Sequence, residues 1–175
     1  MDFLIRHYSE SDVLPLYALY QQMQTDLIAQ LEVPASLQDC RNRLSAQERC
    51  FVATKSGRIA GCLLLRRYGE GALRFIATLE LFVAPSCRHR GAGRALMDAC
   101  RAELPAHGYT ALQIPALANA GIPADFLRSV GFAEIGALPL EQGEQSIWYW
   151  AAPPKYKKAE KRTAAKESNP RLSDK

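Results

Sequence analysis

The chain has 175 residues, 48% of them hydrophobic and 23% charged, with a formal net charge of +4. That length suits one domain large enough to bury most of the surface its unfolded chain exposes, and the apolar share is too high for intrinsic disorder. No apolar run approaches the roughly 20 residues that span a bilayer. Met1 to His7 has neither a basic leader nor a hydrophobic core, so a soluble, non-exported, cytoplasmic protein with no membrane partner is expected.

Phe3 to Tyr8 is a short strand candidate, and Ser9 with Asp12 three residues on has the form of a capping box ahead of a helix. Val13, Leu14, Leu16, Tyr17, Tyr20, Met23, Leu27 and Ile28 recur at helical spacing. Pro34 breaks that helix, and Ser36 to Leu44 predicts a second, short one. Cys50 to Lys55, a turn at Ser56-Gly57-Arg58, and Ile59 to Arg67 read as an antiparallel hairpin. After Gly69-Glu70-Gly71 a third strand is expected from Ala72 to Val83, ended by Pro85.

A helix is predicted from about Gly93 to His107, with Leu96, Met97, Cys100 and Leu104 on one stripe and Gly108 as its left-handed cap. Tyr109 to Ile114 alternates like a strand, and Ile122 to Val130 has helical spacing. Phe132 to Ile135 and Gln145 to Ala151 are the last strand candidates. From Pro153 onward lysines and small residues dominate, so the folded domain is expected to span 1–152 and a flexible basic tail 153–175. Eight basic and three acidic residues give that tail +5, which leaves −1 of the total +4 for the domain. A meander followed by strands separated by helices predicts an α/β or α+β sandwich around a central sheet.

The five cysteines, Cys40, Cys50, Cys62, Cys87 and Cys100, are odd in number and scattered, with no CxxC pair and no histidine at zinc spacing. Free thiols and no metal site are expected. Cys87, beside Arg88 and His89, lacks a visible Cys/His/Asn set and reads as a bystander thiol rather than a nucleophile.

The stretch richest in chemistry runs from Leu79 to Leu96, where a strand enters a basic loop with two glycines that feeds directly into a helix. Such a junction is an anion site, because unpaired N–H groups and the positive dipole end meet there, and glycine lets a phosphate approach the backbone. Arg88, Arg90 and Arg94 add positive charge. A nucleotide P-loop fails for want of a Lys-Ser/Thr ending, and a dinucleotide fingerprint is weak, because Leu96 stands where a third glycine or alanine belongs. The pattern [RQ]xxGx[GA] behind V-x-P matches Arg88-His89-Arg90-Gly91-Ala92-Gly93 behind Val83-Ala84-Pro85.

With this loop the sequence resembles the GNAT superfamily of acetyl-CoA-dependent N-acetyltransferases. Ile5-Arg6 with Asp12 is similar to the family's opening strand and helix, Ile59-Ala60-Gly61 to its "iaG" strand, and Asn119 with Val130-Gly131-Phe132 to its "N…GF" segment. The resemblance covers about residues 3–150 in the family's order. It implies a mixed, mostly antiparallel central sheet flanked by helices, with the cofactor in a splay between two middle strands.

By the same resemblance, acetyl-CoA is the cosubstrate and its pyrophosphate lies on the backbone of Arg88, His89, Arg90, Gly91, Ala92, Gly93 and Arg94. Leu81, Phe82 and Val83 face the pantetheine arm, and Val83 N–H polarises the thioester carbonyl. Asn119 contacts the pantetheine. Glu80 is the candidate general base, its plainer reading being a pair with an arginine such as Arg74. The family's acid tyrosine is replaced here by Leu127, which leaves water, the coenzyme thiolate, Tyr109 or Tyr149 to handle that proton. Tyr17, Tyr20, Gln24 and Leu27 either border the acceptor pocket or belong to the core, the latter being the safer reading.

The implied activity is acetyl transfer to a primary amine of a small molecule or peptide, by direct attack in a ternary complex. A degenerate acyl-CoA-binding sensor without turnover, and an acetyltransferase acting on a tRNA- or ribosome-associated amine, are the alternatives. A homodimer is also within the family's range. No RNA-binding motif supports a nucleic-acid partner.

Overall fold

In the computed structural model, residues 3–23, 33–117, 122–140 and 143–152 are described. Strand β1 (Leu4–His7) leads through a 3-10 turn at Glu10–Asp12 into helix α1 (Val13–Gln22). The expected capping contact forms there: Asp12 accepts from Ser9 N–H at 2.8 Å and from the Ser9 hydroxyl at 3.0 Å. Arg6 closes the corner by donating to both Asp12 oxygens at 2.6 and 2.7 Å. Leu27 and the rest of the predicted helix end lie outside the described residues. Helix α2 (Leu37–Ser45) starts on Ser36, whose hydroxyl accepts from Asp39 N–H at 3.0 Å.

Strands β2 (Arg49–Lys55) and β3 (Arg58–Arg67) form the expected hairpin, with Ser56 and Gly57 at φ of 50° and 75° as its two-residue turn. Strand β4 (Ile76–Val83) begins later than the sequence suggests. Residues Gly71–Leu73 instead make a 3-10 turn, because Leu73 N–H returns to Glu70 and neither Leu73 nor Phe75 has a face to bury.

Helix α3 (Ala92–Glu103) likewise gives way to a 3-10 turn at Leu104–His107, where Pro105 has no N–H to offer and its ring obstructs the preceding turn. Gly108 caps it at φ 76° as expected. The remaining elements are β5 (Ala111–Leu117), the short α4 (Ala124–Ser129), β6 (Ala133–Leu140) and β7 (Gly143–Ala151).

The seven strands lie in the order β1-β2-β3-β4-β5-β7-β6, antiparallel except for the β4/β5 pair. The fold is therefore α+β: a mixed sheet flanked by helices on both faces, as the resemblance implied. On one face Leu63, Leu65, Ala77 and Leu79 pack against Leu96, Met97 and Cys100 of α3. On the other, Val52, Cys62, Leu64 and Phe82 pack against Leu16, Leu19 and Tyr20 of α1 and Cys40 and Leu44 of α2. Successive strand residues alternate between these two layers, which is why the strands that α1 to α3 cover read as nearly continuous apolar runs.

Among the described residues no helix is long and apolar enough to cross a membrane, and no group of three His, Cys, Asp or Glu residues could hold a metal ion. The five cysteines are free thiols. Burial pushes the Cys50 and Cys100 thiols up to about 12 and Cys62 well above its ordinary value, so these three stay protonated at neutral pH.

Candidate active site

The site is built where β4 and β5 part. Their parallel pairing holds only from Ile76 opposite Ala111 to Thr78 opposite Gln113, whereas β4 stays bonded to β3 as far as Val83 opposite Gly61. Beyond Thr78, among the described residues, the β5-facing edge of β4 has no strand paired to it. Ala84 N–H donates to Ala60 of β3 at 2.8 Å, and Phe75 C=O accepts from Thr110, just before β5, at 2.9 Å. Even-numbered residues of β4 therefore turn their backbone groups toward β3 and odd-numbered ones toward the gap. Leu81 and Val83 face the opening, and the Val83 carbonyl accepts from Arg88 Nε at 3.3 Å.

Phe82 is placed differently from the expectation. Its backbone turns to β3, and its side chain, 1% exposed, is edge-on to Tyr20 at 5.0 Å. It shapes the wall behind the gap rather than facing it. Gly61 explains the glycine of the "iaG" strand: a Cβ there would stand 2.4 Å from the Phe82 carbonyl oxygen.

The loop after β4 turns through Pro85–Cys87 and then through two left-handed residues, His89 at φ 57° and Gly91 at φ 94°. Gly91 is the N-cap of α3 and brings no side-chain cap; the first helical bond is Ala95 N–H to Gly91 C=O at 3.0 Å. The N–H groups of Ala92, Gly93 and Arg94 therefore have no acceptor within the helix. A Cβ on Gly91 would meet nothing within 4 Å, so the loop is open there. Gly93 is close-packed instead, its missing Cβ leaving 3.2 Å to the Phe126 ring and 3.6 Å to Leu81.

The three arginines separate. Arg90 is exposed and Arg88 is half-buried. The Arg94 guanidinium is committed to the Ser129 carbonyl and hydroxyl at 3.1 and 3.2 Å, tying the start of α3 to α4. Asn119 lies outside the described residues. Cys87 is half-buried, touches both core layers and lies 3.8 Å from the Ser86 hydroxyl.

Glu80, an even-numbered residue, projects onto the α1/α2 face, opposite Leu81 and Val83. Its partner is not Arg74, whose guanidinium stacks 4.6 Å above the Phe75 ring. It is Arg43 of α2, with Nη2 2.8 Å from Oε2 and both side chains about four-fifths buried. Burial works against the Arg43 charge, but Glu80 and Tyr20 outweigh it and hold the guanidinium above its ordinary value. Sequence reasoning missed Arg43, which stands 37 residues from Glu80 and looks like any charged helix residue.

Leu127, in place of the family's tyrosine, is fully buried in the α3-side core. Tyr109 is at the closed end of the sheet, its hydroxyl donating to Glu48. Tyr149, opposite Gln113 in register, faces away from the layer that holds Leu112, Ile114 and Trp148, and so shares the face of Glu80. Tyr17 bonds the Ala35 carbonyl at 3.5 Å, and Tyr20 is core.

By sequence, no curated protein matches the chain. Solved structures match it along most of its length. A ribosomal-protein-alanine N-acetyltransferase from Brucella melitensis shares 23% identity over 85% of this chain and 99% of its own, with a TM-score of 0.74. A Salmonella typhimurium protein solved with its cofactor acetyl-CoA shares 15% over 88% and 96%, at 0.69. An aminoglycoside 6'-N-acetyltransferase complexed with coenzyme A shares 14% over 87% and 98%, at 0.70. At such identities these are likenesses of fold. The family model for the acetyltransferase (GNAT) domain matches residues 46–134, just over half of the chain and including β2 to α4, the cofactor-type loop and Glu80. The chain thus belongs to the GNAT acetyltransferase family and is an acyltransferase.

Proposed function

We propose that the protein transfers the acetyl group of acetyl-CoA to a primary amine by direct attack in a ternary complex. The observation that carries this reading is the continuation of β4 past the end of its pairing with β5, into a loop that closes on a helix start with uncapped N–H groups. The residues fit the cosubstrate: a gap edged by the backbone of Leu81 and Val83, then a glycine-opened cradle flanked by Arg88 and Arg90. When bound, acetyl-CoA supplies an activated acyl thioester.

In this reading the N–H groups of residues 88–94 hold the pyrophosphate, helped by the positive end of the α3 dipole. The Val83 N–H donates to the thioester oxygen as negative charge develops there. Asn119 steadies the pantetheine arm. Glu80, on the opposite face of β4, takes the proton of the attacking amine directly or through one water. Leu127 carries no proton to return, so the departing thiolate is protonated from solvent or by a side chain such as Tyr149. The likeness to enzymes named for alanine and aminoglycoside amines supports an amine acceptor without choosing between a peptide and a small molecule.

The test is thermal shift followed by turnover. Coenzyme A at a hundred times its Kd stabilises a protein that binds it by about 2.7 kcal/mol, which raises Tm by roughly 5–10 °C at this chain length. Gly91→Glu puts bulk and negative charge into the cradle and abolishes that shift. Coenzyme release from acetyl-CoA is then followed with three acceptors: a peptide α-amine, a lysine side chain and a small alkylamine. Absence of any shift with acetyl-CoA or coenzyme A sinks the cofactor assignment, and a shift without turnover points to an acyl-CoA sensor.

A further inference from the structure

The Arg43–Glu80 pair lies in an apolar layer, between Leu44 and Cys40 on α2, Tyr20 on α1, and Cys62, Leu64 and Phe82 on the sheet. A buried ion pair adds little stability over an apolar pair of the same volume. Packing therefore does not explain why a carboxylate and a guanidinium meet here. The geometry has a specific effect on the carboxylate. Arg43 takes Oε2, and among the described residues no donor reaches Oε1. The guanidinium is itself held from a second side, its carbon 6.0 Å from the Tyr20 ring centroid.

We propose that Arg43 is a positioning residue for acetyl transfer: it fixes the Glu80 carboxylate through Oε2 and leaves Oε1 to accept the proton of the attacking amine. This rests on the reading of Glu80 as the base. The groups that face the carboxylate are Arg43 from α2, Tyr20 from α1 and Cys62 from β3. Burial raises Tyr20 and Cys62 above their ordinary values, so both are neutral through the working pH range and Arg43 supplies the charge. Arg43 also bridges α2 to β4.

A double-mutant cycle tests this, with acetyl-CoA and whichever of the three amines above is turned over fastest. Wild type, Glu80→Gln, Arg43→Gln and the double variant are compared by kcat/KM across pH, with coenzyme A thermal shift as the folding control. Arg43→Gln is expected to lose roughly 10- to 100-fold in the wild-type background, as supporting partners of active groups do. In the Glu80→Gln background it loses less than about twofold, because the group it acts through is gone. Arg43→Lys, which keeps the charge without the fork, recovers part of the rate and replaces Arg43→Gln in the cycle if that variant does not fold. Equal losses in both backgrounds overturn the role of Arg43 while leaving Glu80 in place. No loss in Glu80→Gln alone removes the base reading, and the positioning role with it.

Discussion

Gly61 is the residue on which the path of β4 depends. Its absent Cβ leaves room for the Phe82 carbonyl at 2.4 Å and the Val83 Cα at 3.2 Å, both backbone atoms that cannot swing aside. Gly61→Ala is expected to displace β4 at the point where Val83 meets the gap. Overpacking of this kind costs about 2–3 kcal/mol. Urea midpoints measure that loss, and a coenzyme A titration measures the accompanying loss of affinity; an alanine variant with both unchanged would show that β3 and β4 can separate freely. Gly91 is a glycine for a different reason, a left-handed φ of 94° beside open space. Its role was legible in the sequence through the loop motif. That of Gly61 was visible only as a family position, because the atom it makes room for belongs to another strand.

At the scale of elements, the Arg6–Asp12 pair joins β1 to the start of α1. Asp12 is held below the usual carboxylate range, first by the hydrogen bond from Arg6 and, against the opposing effect of burial, by the bonds from Ser9. A group whose folded-state value is lowered stabilises the fold fully above its unfolded value, about 4 for aspartate, and loses that contribution as the pH falls through the folded value. Asp12→Asn should therefore cost about 2 kcal/mol at neutral pH. The difference from wild type shrinks as the pH drops below about 4. Urea midpoints measured from neutral to acid pH check the sign, and a constant difference would remove the Asp12 charge from the account.

Other joints between elements work through rings. Arg101 of α3 lies 5.4 Å from the Phe132 ring and 4.6 Å from that of Trp150, and donates to the Val130 carbonyl, which fastens the Gly131-Phe132 corner to the sheet. The Ser9/Asp12 cap was readable from spacing alone, because its partners lie three residues apart. The Arg101 contacts join residues about 30 to 50 positions apart, and no periodicity records them.

For the whole molecule, the formal charge of +4 divides into −1 for residues 1–152 and +5 for residues 153–175. Among the described residues, the last backbone contact of the sheet is Ala152 N–H to Thr110 C=O at 2.8 Å. A chain truncated after Ala152 keeps that contact and should match the full chain within about 0.5 kcal/mol in urea. Its coenzyme A shift should also be unchanged at physiological salt, where the screening length is about 8 Å. A fall in affinity on truncation that vanishes at high salt would bring the basic residues beyond 153 into cofactor binding.

By itself the sequence determined the element order, the cap at Ser9, the hairpin turn at Ser56-Gly57-Arg58, and the loop of residues 88–93 that places the chain in its family. All of these are encoded by neighbours within a few positions, where backbone preference and side-chain period act directly. Tertiary structure decided the rest: the parting of β4 from β5 after Thr78, the burial of Leu127, and the meeting of Glu80 with Arg43 rather than Arg74. Each depends on strand register and on how helices seat against the sheet. Those are set by packing over the whole chain, and no local window of residues contains them.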